Sequence, residues 1–473
     1  MTTAGPSPDR SATGAGRAAP PRPTAAAWAR ENLFNNRHNS VLTVLLGAGL
    51  VVLVIYGARF LFVTGQWEPV RTNLTLLMMG TFPREEQWRI VVQVYLLCAS
   101  VGLLWGGLTA SSRDRARDAG VPFSRARLRD GVRRWWPVFV LLAVLLGMTR
   151  TWLPLAFVAS ALALGVAARR VMEALPEAGR RAAWFGAGVC ALAGWQVLSG
   201  TGGIAWWWGS ALVAAAVVRL TRNVRTDARW QPLARLTLVA GAVAVVWAVY
   251  AQLDFGGVGW DDWSGFQLNL VAAAASIVLA FPVGLLAAVG RRSQLPAVRW
   301  LSVGYIEVIR GVPLITLLFM GDLFLGFFLP TEDPLSKVTR AIAVMTLFTG
   351  AYLAEIVRGG LQAVPRGQVE AAQAIGLSAP RVLSLIVLPQ ALRAVIPALV
   401  GQFINLFKDS TLLSIIALTE ILRIRESIHG QREFLIVGIA ETLVFVAFAF
   451  WALAFTMSRE SQRLERRLGV GER

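Results

Sequence analysis

Runs of apolar residues close to membrane-crossing length recur along this chain, from Val41–Val63 near its start to Phe434–Met457 near its end. Lipid offers a backbone no hydrogen-bond partner. A segment that crosses it must close its own bonds, as a helix of roughly 17–25 residues does. Over 473 residues the hydrophobic share is 55% and the charged share 16%, against roughly 45–50% and about 25% in soluble domains. The chain therefore reads as an all-α polytopic membrane protein, and soluble folds are excluded.

The formal charge of +18 sits mostly as arginines in the short segments between apolar runs. Positive segments stay cytoplasmic, so the charge reads as an orientation signal, and no nucleic-acid partner is expected. Residues 1–27 hold Pro, Ala, Ser, Thr and Arg without an apolar run and read as a disordered cytoplasmic tail. The first apolar stretch comes too late for a cleavable signal peptide. Trp28–Asn39 reads as a short interfacial segment. Expected spans follow at Val41–Val63, Ile90–Ala110, Trp135–Met148, Leu153–Ala168, Ala182–Leu198, Ile204–Leu220 and Leu236–Leu253. A second group follows at Phe266–Val289, Trp300–Leu329, Arg340–Val357, Val387–Phe407 and Phe434–Met457. Residues 135–168 also admit one tilted span, and the count runs from ten to twelve. With twelve, the basic segments 111–134, 169–181, 219–235 and 290–299 and the tail 459–473 all fall inside, with both termini. Segments 64–88 and 251–265 fall outside, where tryptophans suit the headgroup level.

Several chemistries lack their residues. The two cysteines, Cys98 and Cys190, lie in apolar runs and read as inert thiols. The two histidines, His38 and His429, form no ligand cluster, so no metal site is expected. Neither lysine, Lys337 or Lys408, follows the glycine pattern of a phosphate-binding loop. The chain is read as carrying no cofactor and hydrolysing no ATP by that route.

Between two apolar segments lies EAAQAIGLSAPRVLSLIVLP (370–389). Glu370–Ile375 is rich in helix formers. Gly376 can take the left-handed conformation that closes a helix, and Ser378 can cap the next one, with Pro380 tolerated in its first turn. The stretch reads as helix, turn, helix at a membrane surface. Its Glu370-Ala371-Ala372, then Gly376, then Ile386-Val387-Leu388-Pro389 resembles the signature loop of the membrane subunits of ABC importers. AYLAEIVRGGLQAVP (351–365), LPQALRAVIPAL (388–399) and FKDST (407–411) resemble the polar amino-acid branch of that family. RGVPLI (310–315) and GRRS (290–293) resemble its general L-amino-acid permeases.

The resemblance covers about residues 255–473. It implies an ABC type I importer core of five helices over 255–458, with a coupling loop at 359–389, preceded by a multi-span extension over 28–254. Glu370, Ala371, Ala372, Gly376 and Leu377 would couple to a separate ATPase, with Ala371 and Ala372 small enough for its close approach. Further implied partners are a second permease (a relative or a second copy), an extracytoplasmic solute-binding protein, an L-amino acid and the lipid bilayer. The setting would be a bacterial inner membrane. A secondary transporter of about twelve spans is the alternative; the scarcity of intramembrane ionisable residues and the lack of repeats weigh against it. The role of residues 135–220 stays open.

Gln402, Asn405 and Asp409 share a helix face, with Lys408 beside it. Polar groups at membrane depth turn toward a bundle interior, a cavity or each other. Three readings follow: a translocation path, interhelical bonding, or a Lys408–Asp409 ion pair. Thr346, Thr349 and Tyr352 form a similar stripe, although threonines often bond back to the preceding turn. Glu355 and Arg358 are expected to stabilise the root of the loop. Glu307 and Arg310 can pair three residues apart. Gly311 and Pro313 are expected to form a hinge, and Pro389 to set the angle at which the loop re-enters the membrane.

Overall fold

The computed structural model describes residues 24–122, 128–149, 151–176, 179–180, 183, 258–259, 262–328 and 335–468. The expected spans between 182 and 253 lie outside the described residues. Two compact units are present, one ending at Gln66 and one beginning at Trp67.

In the first unit, α1 (Ala25–Asn32) starts where Thr24 accepts a hydrogen bond from the Ala27 N–H, and α2 (Arg37–Arg59) starts where Asn36 accepts one from Asn39. A π-turn at Phe60–Thr64 extends α2 to 28 residues, none of which is buried. An exposed helix whose middle, Val44–Tyr56, is uninterrupted by a polar side chain until Tyr56 matches hydrocarbon, not water.

The second unit opens with two short helices, α3 (Glu68–Thr72) and α4 (Leu74–Met79), followed by α5 (Gln87–Asp118), α6 (Leu128–Arg134), α7 (Trp136–Met148) and α8 (Leu153–Ala174). The residues 135–168 form two helices, parted between Met148 and Leu153, and these have different neighbours. α8 packs along α5, where Gly102 and Gly106 meet Gly165 and Arg169 at backbone distance. Small residues at such a seam let helices touch where lipid supplies no hydrophobic drive. Arg169 is buried there, 2.7 Å from Glu173 and 4.6 Å over the Trp105 ring.

Then come α9 (Gly265–Gly290), α10 (Pro296–Gly311), α11 (Leu314–Phe328), α12 (Lys337–Ala363), α13 (Arg366–Ala374), α14 (Ala379–Val382), α15 (Leu388–Asp409), α16 (Ile421–His429) and α17 (Ile439–Leu468). Among the described residues seven helices are long and apolar enough to cross a membrane, or eight if α10 and α11 count as one bent span. α9 and α12 form the centre. A Cβ at Gly284 would lie 2.6 Å from that of Leu353 and 2.8 Å from the Gly350 carbonyl oxygen, so the crossing tolerates no side chain there.

Trp300–Leu329 is not one kinked helix. α10 and α11 meet at 109°. Val312 is extended because the ring of Pro313 drives the preceding residue out of the helical region. Trp263, expected at headgroup level, is buried edge-on to Phe82. The tail from Arg459 is helical, continuing α17 to Leu468.

α7 docks on α17: Trp136 lies 5.9 Å from Trp451 and 6.2 Å from Phe455, ring to ring, and Arg134 pairs with Glu460. Trp136→Ala is expected to cost about 1–2 kcal/mol, since the ring is 40% exposed and its edge-to-face contacts add only modestly to burial. The measurement is thermal unfolding of the detergent-purified chain; an unshifted melting temperature would remove this cluster from the docking of α7.

Candidate functional site

The loop after α12 folds as its residue types require. α13 starts earlier than Glu370, at Arg366 behind Pro365, and ends on Gly376 at φ +82°. The Leu377 N–H donates to the Ala372 carbonyl at 3.2 Å and the Gly376 N–H to Gln373 at 2.9 Å, the bond pair of a glycine-closed helix end. Ser378 stands at the start of α14 with Pro380 in the first turn, but its hydroxyl caps nothing; its backbone carbonyl accepts from Arg381 and Val382.

The faces of this element differ from the sequence expectation at one residue. Ala372 is buried, packed in one cluster with Leu361, Val382, Val387 and Leu377. It is the inward seat of α13 and is not available for close approach by a partner. Glu370, Ala371 and Gly376 are exposed, as is Ile375 at 77%. Ile375 was missed by sequence reading, although an isoleucine before a closing glycine has no neighbour in its own helix to cover it. The Glu370 carboxylate makes no hydrogen bond among the described residues.

Pro389 sets no sharp angle. A π-turn at Leu383–Val387 carries α14 into α15, with the Leu388 N–H bonded to Leu383. The wider turn leaves Pro389, which has no N–H, in the first turn of α15. Gly311 closes α10 at the break before Pro313, with open space beside it.

The root of the loop is an ionic cluster. Glu355 on α12 lies 2.6 Å from Arg291 just past α9, 2.9 Å from Arg358, and 3.7 Å from Arg310 in the last turn of α10. Arg291 also reaches Glu307 at 3.1 Å, and Arg358 donates to Gln362. The expected Glu307–Arg310 pair is therefore replaced: each of the two turns to a residue brought from another helix. Arg310 also lies 5.4 Å over the ring of Tyr352, which packs on Phe348. Tyr352 thus belongs to this cluster. Thr346 and Thr349 are buried, with hydroxyls that have no hydrogen-bond partner among the described residues. They neither bond back along α12 nor reach a surface, so Thr349 lines no path here.

On α15, Asn405 and Lys408 are exposed and Gln402 and Asp409 half-buried. No hydrogen bond joins Gln402, Asn405 or Asp409 to another described residue, and Lys408 does not come within ion-pair distance of Asp409. Lys408 instead borders a recess of about 310 Å³ with Thr411, Leu422, Leu443, Val446 and Phe450. Unsatisfied amides and charges are costly against lipid, so this face suits a wet path or a neighbouring subunit.

Two further groups escaped the sequence reading. Asp322 on α11 sits 3.1 Å from Lys337 and 3.4 Å from Arg340. Glu420, at the start of α16 and fully buried, accepts from the Leu422 and Arg423 N–H groups at 2.8 and 3.0 Å and from Asn269 at 3.0 Å. Burial lifts its carboxyl to about 7, against the pull of those donors. Acids in apolar surroundings were the available signal for both. His429 is occupied structurally, with one ring nitrogen 2.9 Å from the Phe434 carbonyl and the other 2.8 Å from the Thr442 hydroxyl.

α12 thus runs from a helical bundle into an exposed, glycine-closed helix-turn-helix. Residues 280–470 match the family described as binding-protein-dependent transport system inner membrane component. The glutamate/glutamine/aspartate/asparagine transport system permease protein BztC of Rhodobacter capsulatus is 32% identical over 93% of this chain and 93% of its own length. The inner membrane amino-acid ABC transporter permease protein YhdY of Escherichia coli is 45% identical over 44% of this chain and 57% of its own. A solved amino acid ABC transporter crystallised with histidines is 28% identical over 42% of this chain and 90% of its own, at a TM-score of 0.38. The chain belongs to this family of amino-acid ABC importer permeases. It is a transport subunit, not an enzyme, and the secondary-transporter alternative is not favoured.

Proposed function

We propose that this chain passes L-amino acids of polar or broad specificity across a bacterial inner membrane, within a complex of two permeases, two ATPase subunits and an external solute-binding protein. The observation that carries the coupling part is the exposed surface of α13 around Glu370, Ala371, Ile375 and Gly376, seated through Ala372 and Leu377 on α12's own core. Small and apolar groups at a projecting turn suit a groove on a separate protein. In this reading ATP-driven closure of the ATPase pair draws the two loops together and switches access, and the permease needs no cofactor of its own.

The basic ends of the extension support an orientation with the loop and both termini cytoplasmic. Arg134 pairs with Glu460 near the end of α17, and Arg113 and Arg180 gather around Asp114 at the end of α5. We read residues 28–254 as an N-terminal transmembrane extension and 255–458 as the transport core, with Gln402, Asn405, Lys408 and Asp409 toward the path. The relatives named for glutamate, glutamine, aspartate and asparagine support polar substrates.

The test is uptake of a radiolabelled mixture of L-amino acids into proteoliposomes holding the whole complex. Uptake should require ATP and survive collapse of ion gradients. Asn405→Leu should lower it roughly tenfold with binding-protein affinity unchanged, the size expected when a buried polar contact to a substrate is lost. Gradient-driven uptake without ATP would sink the proposal, and parental uptake by Asn405→Leu would remove α15 from the path.

A further inference from the structure

We infer that Glu355 is a positioning residue that links movement of the loop to the broken α10–α11 pair. This rests on the reading that α13 docks on an ATPase. α12 passes into α13 through only Val364 and Pro365, so force on α13 reaches the last turns of α12 directly along the chain, as it reaches α15 through α14 and the π-turn. Glu355 stands two turns above that junction, and its two oxygens hold three arginines from three places. Arg291 bonds it at the end of α9 and Arg358 bonds it on α12 itself. Arg310, in the last turn of α10 and one residue before its end, lies at ion-pair distance, 3.7 Å, and over the Tyr352 ring of α12. The break is where a rotation costs least, because Val312 is already extended and Gly311 has nothing within 4 Å of a would-be Cβ. One carboxylate thus ties the loop to the hinge of the broken span.

The charge count shows why no other group can take its place. Glu355 and Glu307 stand against Arg291, Arg310 and Arg358, and Glu307 is 57% exposed and comes within ion-pair distance of Arg291 alone among them. Without the Glu355 charge, three guanidinium groups face each other with one peripheral acid. Removing one partner of a clustered charge set leaves the rest uncompensated, and Arg310 would be freed to leave α12. The loop could then move without carrying α10.

The experiment uses the complete complex in proteoliposomes, with radiolabelled L-amino acids as probe, and reads uptake per ATP hydrolysed. It also reads cross-linking of an Ala371→Cys loop to the ATPase. Glu355→Gln should lower the uptake-to-hydrolysis ratio at least about tenfold, within the usual range for coupling between sites, while the ATPase still co-purifies and cross-links. Glu355→Asp should restore the ratio to within about threefold, and Glu307→Gln should leave it within about twofold. If Glu355→Gln does not assemble, Arg310→Gln carries the same expected loss of ratio. A parental ratio in the assembled Glu355→Gln or Arg310→Gln complex overturns the inference. So does a parallel loss of assembly, hydrolysis and uptake in both variants that Glu355→Asp does not repair. Failure of the Ala371→Cys cross-link in the otherwise unmodified complex overturns the docking reading itself, and this inference falls with it.

Discussion

Gly376→Val is expected to cut amino-acid uptake by the reconstituted complex about tenfold while leaving membrane insertion and the fold of the core intact. The size follows from the backbone. Gly376 sits at φ +82°, where an L side chain costs about 1–3 kcal/mol and a β-branched one stands at the upper end. Nothing lies within 4 Å of a would-be Cβ, so no clash inside the chain adds to that cost. The strain is relieved by rotating Gly376 out of the left-handed region, which breaks the Leu377–Ala372 and Gly376–Gln373 bonds and lets α13 lose its angle to α14. The rest of the bundle has no share in those bonds. Gly376→Asn separates conformation from bulk, because asparagine tolerates the left-handed region; it should keep most of the uptake. Hydrolysis and uptake measured side by side decide the matter. Parental uptake by Gly376→Val would show that the turn is not needed, and equal loss in Gly376→Asn would make surface size the cause.

What the sequence made legible is what short-range chemistry determines. The glycine closure at Gly376, the place of Pro380 and the break at Pro313 depend on a residue and its immediate neighbours, and each was readable. Among the described residues the spans Val41–Val63, Phe266–Val289 and Val387–Phe407 were legible to within a few residues for the same reason, apolar runs being local. By contrast, α5, α8, α12 and α17 continue past their expected ends on polar residues, and Trp300–Leu329 divides into two helices. Partner choice was not. Glu307 and Arg310 have the spacing to pair, yet Arg291 and Glu355 arrive from other helices and offer each a better partner. Thr349 was readable as polar but not as buried, since that depends on how closely α9 approaches α12 at Gly284. Ala372 is buried because α14 and the π-turn at Leu383–Val387 pack against α13, and nothing in the tripeptide announces that turn.

The second large effect concerns Glu420, which lies between the spans that end at Ser414 and begin at Ile439. Glu420→Ala is expected to destabilise the bundle by about 3 kcal/mol or more, because one carboxylate caps α16 and also holds Asn269. Asn269 in turn donates to Ser410 at 3.1 Å and accepts from the Ile421 N–H at 3.2 Å, and the Gly265 N–H donates to Thr419 at 2.7 Å. Those bonds join the start of α9, the residue after α15 and the start of α16. Losing the carboxylate unpairs the Leu422 and Arg423 N–H groups of α16 and takes one acceptor from the Asn269 amide of α9. The same burial gives a pH dependence of definite sign. Burial pushes the folded carboxyl up to about 7 from its ordinary 4.5, so between those two pH values the folded state binds more proton than the unfolded one. Stability must therefore fall as pH rises through that window, by about 3 kcal/mol in all. Thermal unfolding of the detergent-purified chain should show a melting temperature that declines from pH 5 to pH 8, a window set by that shift. Glu420→Gln, which has no charge to acquire, should lose most of the slope. A melting temperature that rises over the same interval, or an equal slope in Glu420→Gln, would mean that Glu420 enters the fold already charged and is held by its donors alone.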